Sequence, residues 1–266
     1  MVTDPITSLT NSRIKAVIKL RKRRRRDATG TFIVEGYREV LRLIEAGSGP
    51  RTLFVSPDLF IGSNELELVA RCRNAGSEII EVTAAPFRKA SYRDRPEGLL
   101  AIADQFDTSL DQIPLSANPL VLVVESIEKP GNLGTMLRTA EAAGLSGVIV
   151  ADPTTDPFNP NVVRASLGTL FAVPLAITDT TTAIAHLHAA GVNIVATTPN
   201  TPLPHHQADL TGPTAIVVGS EQYGLSRDWL EGADTKVMIP MPGSVDSLNA
   251  AMAAGIVVFE AVRQRS

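Results

Sequence analysis

The amino-acid sequence predicts an α/β protein with a parallel-sheet domain over its second half and a smaller α/β domain before it. In the second half, short apolar runs alternate with segments of helical periodicity. Uninterrupted apolar runs are typical of parallel strands that are buried on both faces, and helices usually connect such strands. The first half alternates short strands with helices whose apolar residues share one face.

The first domain is predicted over residues 1–107. Asn11 and Ser12 are suited to cap a helix that runs through the basic residues to Arg23, and Gly30 ends this region. Apolar runs and helical spacing then predict the remaining elements. The predicted strands are 31–35, 52–56, 78–82 and 99–103, and the predicted helices are 37–46 and 65–75.

The second domain is predicted over residues 120–266, after an interdomain linker at 108–119 that is polar, aperiodic and contains proline. Its strands are expected to be buried on both faces, with helices between several of them. The predicted strands are 120–124, 147–151, 173–177, 193–197, 214–219 and 236–239, and the predicted helices are 133–143, 160–167, 181–190 and 248–264.

Three polar segments of the second domain begin where apolar runs end, at Glu125–Ala140, Val218–Ser226 and Ile239–Ala250. Each segment turns through Gly, Pro, Ser or Asn, and the first and third then enter predicted helices. The carboxyl ends of parallel strands lie at one edge of a sheet, where α/β proteins bind ligands. We therefore expect the three segments to meet there and to form the functional site.

Charge is distributed unevenly along the chain. Residues 1–50 carry a net charge of +6, residues 51–119 carry −3 and residues 120–266 carry −6. Concentrated positive charge at one end predicts a module that binds a polyanion, although a solvated helix face would have the same composition.

Composition excludes several classes of protein. Apolar residues make up 44% of the chain, and no apolar run approaches the ~20 residues that span a bilayer. Cys72 is the single cysteine, so neither an internal disulfide nor a cysteine-based zinc site is expected. The four histidines have no carboxylates at metal-ligand spacing, and the usual dinucleotide and phosphate-loop glycine motifs are absent. We expect a cytoplasmic protein without a metal ion or a membrane segment.

From Leu120 onward, the three segments in this order and spacing resemble the three motifs of the SpoU (TrmH-type) branch of the SPOUT RNA methyltransferases. The resemblance implies transfer of a methyl group from S-adenosylmethionine to a ribose 2′-hydroxyl in RNA. It also implies a SPOUT domain with a deep trefoil knot, a homodimer, and a preceding RNA substrate-binding domain that is similar to ribosomal protein L30e. One departure is Lys129-Pro130, where relatives frequently have Asp-Pro.

The same resemblance assigns roles to residues of the three motifs. The implied catalytic residues are Asn132, Arg138, Glu221, Ser247 and Asn249, and the implied cofactor-binding residues are Thr197, Thr198, Gly219, Ile239, Met241 and Leu248. Structural roles are also open. Arg138 is suited to pair with Glu141 or Glu128, Glu221 to cap a helix, Ser247 to cap the final helix, and Asn249 to satisfy loop backbone.

Arg138 is implied to activate the ribose hydroxyl. Because a guanidinium is protonated in nearly all settings, holding an RNA phosphate and stabilising the developing alkoxide are the physically favoured roles.

The basic segment near the N terminus is predicted to contact RNA phosphates. The residues are Lys15, Lys19, Arg21, Lys22, Arg23, Arg24, Arg25 and Arg26. This basic segment followed by Phe32–Gly36 resembles the layout of ribosomal-RNA members of the family, so 23S rRNA is the predicted substrate. A transfer-RNA 2′-O-methyltransferase and a non-catalytic RNA-binding factor on the same scaffold are the alternatives.

Overall fold

The structure is a computed structural model that describes residues 4–115, 117–245 and 247–266. Residues 1–3 of the predicted first domain, Ser116 of the predicted linker and Asp246 of the third motif lie outside the described residues. The chain divides into two compact units. The first comprises the described residues up to Phe106 together with Asp156–Ala172, and the second comprises Asp107–Thr155 and Val173–Ser266.

The first unit contains a four-stranded sheet in the order β1-β4-β2-β3. Strand β4 is antiparallel to both of its neighbours, and β2 pairs in parallel with β3. The elements are α1 (Ser12–Lys19), α2 (Arg23–Thr29), β1 (Thr31–Glu35), α3 (Tyr37–Glu45), β2 (Thr52–Val55), α4 (Glu65–Asn74), β3 (Glu78–Glu81), α5 (Ala84–Ala90), β4 (Leu99–Asp104) and, further along the chain, α7 (Pro160–Ser166).

The predicted helix from Ser12 to Arg23 is two helices in the structure. Asn11 caps α1 as predicted, because its side chain accepts a hydrogen bond of 2.8 Å from the Arg13 N–H. Helix α1 ends at Lys19, and α2 then runs to Thr29 before Gly30 adopts a left-handed conformation with φ of 61°. The chain therefore changes direction inside the basic segment.

The second unit contains a six-stranded sheet in the order β10-β8-β9-β5-β6-β7, and every pairing is parallel. The prediction of an α/β fold with a parallel sheet is thus confirmed. The elements are β5 (Leu120–Glu125), α6 (Pro130–Ala142), β6 (Gly147–Ala151), β7 (Leu175–Thr178), α8 (Thr180–Ala189), β8 (Asn193–Thr197), β9 (Thr214–Val218), α9 (Arg227–Gly232), β10 (Thr235–Val237) and α10 (Ala250–Arg265).

The core of this unit explains why its apolar runs form strands. Every residue of β5, β6 and β9 is buried, as expected for central strands that are covered on both faces. Because all strands run in the same direction, the segments that follow β5, β9 and β10 leave from one edge of the sheet. These are the three polar segments that the sequence singles out.

Two segments are organised differently from the predicted domain layout. Ile113, inside the predicted linker, is buried in the apolar core of the second unit, so this segment is packed on that unit. Residues 156–172 lie between β6 and β7 in sequence but group with the first unit. There the Phe158 ring lies 4.9 Å from that of Phe32 and 5.0 Å from that of Phe106, and apolar contact explains the grouping.

No helix in the described ranges has both the length and the apolar character needed to cross a lipid bilayer.

Candidate functional site

The three polar segments meet at the carboxyl edge of the second unit's sheet. Asn132 lies in the first turn of α6, Glu221 follows β9, and Asn249 is the N-cap residue of α10. The Asn249 Nδ2 atom donates hydrogen bonds of 3.1 Å to Asn132 Oδ1 and 3.0 Å to Glu221 Oε1. The Asn132 side-chain amide also donates to Glu221 Oε1. The structure thus joins one predicted residue from each motif in a single cluster.

Asn249 both shapes the backbone and contributes to the polar cluster. Its Oδ1 atom accepts from the main-chain N–H groups of Ala251 at 3.1 Å and Met252 at 3.3 Å, which caps α10. Its Nδ2 atom remains directed at Asn132 and Glu221. The alternative in which Ser247 caps the final helix is wrong, since α10 begins after Asn249 and Ser247 is an exposed residue before the cap.

Lys129 is a member of the cluster that sequence reasoning missed. Its Nζ atom lies 2.8 Å from Glu221 Oε2, so the Glu221 carboxylate contacts an ammonium on one oxygen and two amides on the other. The Lys129 side chain is 68% exposed and that of Glu221 is 23% exposed. One sequence signal was available, because Lys129 is the sole basic residue between β5 and Pro130.

A tight turn presents Glu221. Ser220 and Gly224 exchange main-chain hydrogen bonds of 3.1 and 3.0 Å, and Gly224 has φ of 68°. A Cβ atom at Gly219 would overlap the main chain of Gly224 and Leu225, so only glycine fits at this position. The turn therefore depends on both glycines.

Glu125, at the end of β5, fixes the far end of this turn. Its buried carboxylate accepts a 2.8 Å hydrogen bond from the Ser226 N–H at the start of α9. The bond joins the first motif to the second. Sequence reasoning placed Glu125 in the motif but gave it no role.

Arg138 lies farther along α6, and its side chain is exposed. Among the ion pairs of the described residues, none includes Arg138, Glu141 or Glu128. The alternative in which Arg138 serves a salt bridge to one of these two residues is therefore wrong.

A cleft opens in the second unit and is lined by five of the six predicted cofactor-binding residues. They are Thr197, Thr198, Ile239, Met241 and Leu248, and the cleft is completed by Pro199, Val237 and Ala253. The sixth, Gly219, lies in the turn described above and is not among the lining residues. Thr197 is fixed by a 2.8 Å hydrogen bond from its hydroxyl to the Val217 carbonyl.

The basic residues predicted to bind RNA separate into two groups. Lys15, Lys19, Lys22, Arg23, Arg24 and Arg25 are exposed. Arg26 is 1% exposed and forms a buried ion pair with Asp156, while its Nη1 atom donates to the carbonyls of Leu20 at 2.9 Å and Arg21 at 3.0 Å. The prediction that Arg26 contacts RNA is wrong, because its guanidinium is fully used inside the protein.

Arg21 also has a structural role. Its Nη2 atom donates to the carbonyls of Lys89, Ala90 and Ser91 at 3.2, 3.1 and 2.6 Å, which caps the carboxyl end of α5. Its guanidinium lies 5.4 Å from the centre of the Tyr92 ring. These internal bonds contradict the prediction that Arg21 is free to bind phosphate.

No group of three or more His, Cys, Asp or Glu side chains within the described part of the chain is arranged to hold a metal ion.

A parallel α/β domain whose polar loops converge beside a cleft defines the class of ligand-binding α/β enzymes. Comparison with known proteins makes the assignment specific. The model of the SpoU rRNA Methylase family matches residues 119–259, and that of the MRM3-like substrate binding domain matches residues 11–101. The chain belongs to the SpoU rRNA methylase family, as the three motifs predicted.

Relatives are similar over nearly the whole chain. The 23S rRNA (guanosine(2553)-2′-O)-methyltransferase RlmP of Bacillus subtilis is 31% identical, and the match covers 96% of this chain and 97% of that protein. The 23S rRNA (uridine(2479)-2′-O)-methyltransferase of Streptomyces viridochromogenes is 34% identical over 92% of this chain and 87% of that protein. Among solved structures, an AdoMet-bound rRNA methyltransferase from Sinorhizobium meliloti aligns with a TM-score of 0.90 and 34% identity, covering 98% of this chain and 97% of the other.

Proposed function

We propose that this protein transfers a methyl group from S-adenosylmethionine to a ribose 2′-hydroxyl, with 23S rRNA as the substrate. The observation that carries the proposal is the contact among Asn132, Glu221 and Asn249 in a chain of the SpoU family. The two curated relatives described above are named 23S rRNA 2′-O-methyltransferases and match more than nine-tenths of this chain.

The cleft suits the adenosine part of S-adenosylmethionine. Its walls at Val237, Ile239, Met241, Leu248 and Ala253 are apolar, as a purine face requires. Within the described residues, no intrachain hydrogen bond uses the main-chain N–H groups of Ile239 and Met241, so both remain able to bind a ligand acceptor. When bound, the cofactor supplies an electrophilic methyl group. We assign Thr197, Thr198, Ile239, Met241 and Leu248 to its binding, and Gly219 to the turn that supports it.

The catalytic residues act by positioning and by electrostatics. Arg138 holds an RNA phosphate and stabilises negative charge on the ribose 2′-oxygen as the hydroxyl proton passes to solvent. The new O–CH3 bond replaces the methyl–sulfur bond of the cofactor, and the leaving group is S-adenosylhomocysteine. Asn132 and Asn249 hold Glu221 and thereby fix the three loops relative to one another, while Ser247 supplies a hydroxyl beside the third loop. Correct orientation of two reactants contributes ~7–11 kcal/mol to lowering a barrier of this kind.

Recognition of RNA is assigned to residues 1–107, which contain the match to a substrate-binding domain. Residues 120–266 form the SPOUT methyltransferase domain, with 108–119 joining the two. We propose that the first of these domains is similar to ribosomal protein L30e, and its sheet with helices on both faces is consistent with that. The exposed residues Lys15, Lys19 and Lys22–Arg25 are proposed to contact RNA phosphates.

A trefoil knot and a homodimer are proposed as well. Strand β10 lies at one edge of the sheet, yet the following helix α10 packs against α6 and β9 in the middle of the strand order. This return path is consistent with a segment that passes through a loop. Helix α10 also exposes an apolar face formed by Met252, Ile256 and Phe259, which supports pairing with a second copy. A ribosomal substrate implies that the protein works in the cytoplasm.

Two alternatives remain as outcomes of the test. A transfer-RNA 2′-O-methyltransferase would use the same second unit, and a non-catalytic RNA-binding factor would keep the scaffold without the chemistry.

The test measures incorporation of tritium from methyl-labelled S-adenosylmethionine into unmodified 23S, 16S and transfer RNA, each supplied separately. We expect label in 23S RNA alone, and we expect Arg138→Ala to lose it by about 100-fold to 1,000-fold, as for other transition-state donors. Titration calorimetry with the cofactor should give the same affinity for Arg138→Ala and the wild type. Arg138→Lys tests whether the planar fork or only the charge is needed.

Label confined to transfer RNA would show that 23S rRNA is not the substrate, while the proposed methyl-transfer reaction would stand. The absence of label from every RNA, with a folded protein, would favour the non-catalytic factor.

A further inference from the structure

Helix α5 carries a basic pair that faces solvent and lies outside the basic segment of α1 and α2. Its buried side chains are Pro86, Phe87 and Ala90, and its last turn holds Arg88 and Lys89, both of which are exposed. Lys89 Nζ donates one hydrogen bond of 3.0 Å to the Leu9 carbonyl and retains its other donors. The Arg88 side chain forms no hydrogen bond or ion pair within the described residues.

The structure fixes α5 beside the basic segment. Helices α1 and α5 pack against each other, and Ile14 and Val17 of α1 share an apolar core with Phe87 of α5. Arg21, at the junction of α1 and α2, caps the carboxyl end of α5 through the carbonyls of Lys89, Ala90 and Ser91. The arginine that sequence reasoning assigned to RNA instead holds two basic segments together.

Helices α3 and α4 belong to the opposite layer of this unit. The core shared by α1 and α5 includes Ile33 and Phe54 from one face of the sheet. Because successive strand residues alternate between faces, the adjacent residues Phe32 and Leu53 point to the opposite face of the sheet. Helices α3 and α4 pack with each other and contribute no residue to that core. Helix α4 also ends in a basic pair, Arg71 and Arg73, so the unit contains two helices with the same terminal charge on different faces.

We propose that Arg88 and Lys89 extend the RNA-binding surface, so that α1, α2 and α5 together follow the phosphates of one RNA segment. The inference rests on the proposed function, since it names part of the surface that binds the same RNA. The exposed cations Lys15, Lys19 and Lys22–Arg25 lie on elements that Arg21 joins to α5. Exposed lysines and arginines bind the phosphates of the RNA backbone through charge, and such contacts do not depend on the base sequence.

A simpler role for this pair is stabilisation of the α5 terminus, because basic residues in the last turn favour the helix dipole. The pair at the end of α4 provides the matched control. Both pairs occupy the last turn of their helix, so removing their charge has a similar effect on the interaction with the helix dipole. Only the α5 pair lies in the same layer as α1, so only its loss should weaken RNA binding.

The experiment measures the affinity of the full chain for unmodified 23S rRNA, transcribed in vitro, at several KCl concentrations. The variants are Arg88→Gln with Lys89→Gln, the control Arg71→Gln with Arg73→Gln, and the charge-conserving Arg88→Lys with Lys89→Arg. The slope of log affinity against log salt is negative, and each lost phosphate contact reduces its magnitude by about 0.7–0.9. Two lost contacts therefore reduce the ratio of the affinity at ~50 mM salt to that at ~200 mM salt by about sevenfold to twelvefold.

We expect this reduction for the α5 glutamine variant and wild-type slopes for the other two. An α5 glutamine variant with the wild-type slope would overturn the inference while leaving the proposed function intact. Equal loss in the α4 control would also overturn it, because the effect would then be one of net charge or stability. Failure of the wild type to bind 23S rRNA would remove the proposed function and this inference together. Urea unfolding of all four proteins verifies that the variants are folded.

Discussion

Asn132 and Asn249 are 117 positions apart in sequence, and the Asn249 side-chain amide donates to the Asn132 side-chain oxygen at 3.1 Å. The same amide donates to Glu221, so side-chain hydrogen bonds directly join the first turn of α6, the turn after β9 and the N-cap of α10. Each of these elements leaves the same edge of the sheet. The site is therefore assembled by tertiary contact and cannot form from any one segment.

Substituting Asn249 should separate capping from chemistry. Asp caps helices about as well as Asn, so Asn249→Asp should retain the stability of α10. A carboxylate there would face Glu221 and cannot donate, so we expect methyl transfer to fall about 100-fold or more through misplacement of the loops. Asn249→Ala should lose activity and ~1 kcal/mol of stability together. Turnover at saturating RNA and urea unfolding are the measurements, and an active Asn249→Asp enzyme would contradict the proposed role of the cluster.

Gly219 is predicted to be irreplaceable. An alanine Cβ there would overlap the main chain of Gly224, so Gly219→Ala must displace the turn that carries Glu221. Displacing a packed backbone typically costs ~1–3 kcal/mol, and we expect weaker cofactor binding and slower transfer as well. Gly212→Ala is the control, since a Cβ atom at Gly212 has no atom within 4 Å. Calorimetric titration with S-adenosylmethionine should distinguish the two, and equal affinities would show that the turn tolerates a side chain.

Much of the fold was predictable because its signals are local. Strands β1, β6 and β8 have the predicted bounds, since each is a short apolar run bounded by turns. The sequence did not predict helices α5 and α9, which span only seven and six residues, and α5 contains Pro86, a poor helix former. Short helices of this kind are stabilised by packing more than by intrinsic propensity.

The site was predictable from motifs, but its electrostatics were not. The burial of Arg26 depends on Asp156, which is 130 positions away, and nothing in a run of four arginines distinguishes the buried one. The pairing of Lys129 with Glu221 likewise depends on a turn formed by Gly219 and Gly224. Partners that are distant in sequence leave no periodic pattern, so only the tertiary structure reveals them.

Arg26 is predicted to stabilise the first unit and not to bind RNA. Arg26→Met would leave Asp156 buried without its partner, and breaking a buried pair in this way costs ~3–5 kcal/mol. Its exposed neighbour Arg24 is the control, because Arg24→Met should change stability by less than ~0.5 kcal/mol. Denaturant unfolding measures the free energy of each variant. The opposite ranking, with Arg24→Met the less stable protein, would contradict the buried ion pair.

The buried carboxyl of Glu35 should make stability depend on pH. Burial raises the pKa of Glu35 above its ordinary value of 4.5, although hydrogen bonds from Ser91 and Tyr92 and the charge of Arg93 oppose the increase. The folded state therefore binds this proton more tightly than the unfolded state, so stability decreases as the pH rises from 4.5 through the raised pKa. Glu35→Gln cannot ionise and should lack this component. Unfolding free energies of both proteins, measured across this interval, should diverge as the pH rises, and a constant difference would refute the prediction.

Phe259 is predicted to hold two copies of the chain together. On α10, Met252, Ile256 and Phe259 are 60%, 37% and 49% exposed, and their spacing places them on one face of the helix. A symmetric dimer buries Phe259 of both protomers. Because this side chain is already half-buried in the single chain, Phe259→Ser should remove about 0.7–1.5 kcal/mol from each protomer and raise the dimer dissociation constant by roughly 10-fold to 150-fold. Leu66→Ser, which removes an apolar side chain that is 68% exposed on α4, is the control and should leave assembly unchanged.

Sedimentation equilibrium over a range of protein concentrations measures the dissociation constant directly. If methyl transfer requires the dimer, its rate in Phe259→Ser should fall in proportion to the remaining dimer and recover at high protein concentration. Such recovery would separate a defect of assembly from a defect of chemistry, because a damaged active site would remain slow at every concentration. A wild-type protein that sediments as a monomer throughout would exclude the dimer and leave the apolar face of α10 to be explained by another partner.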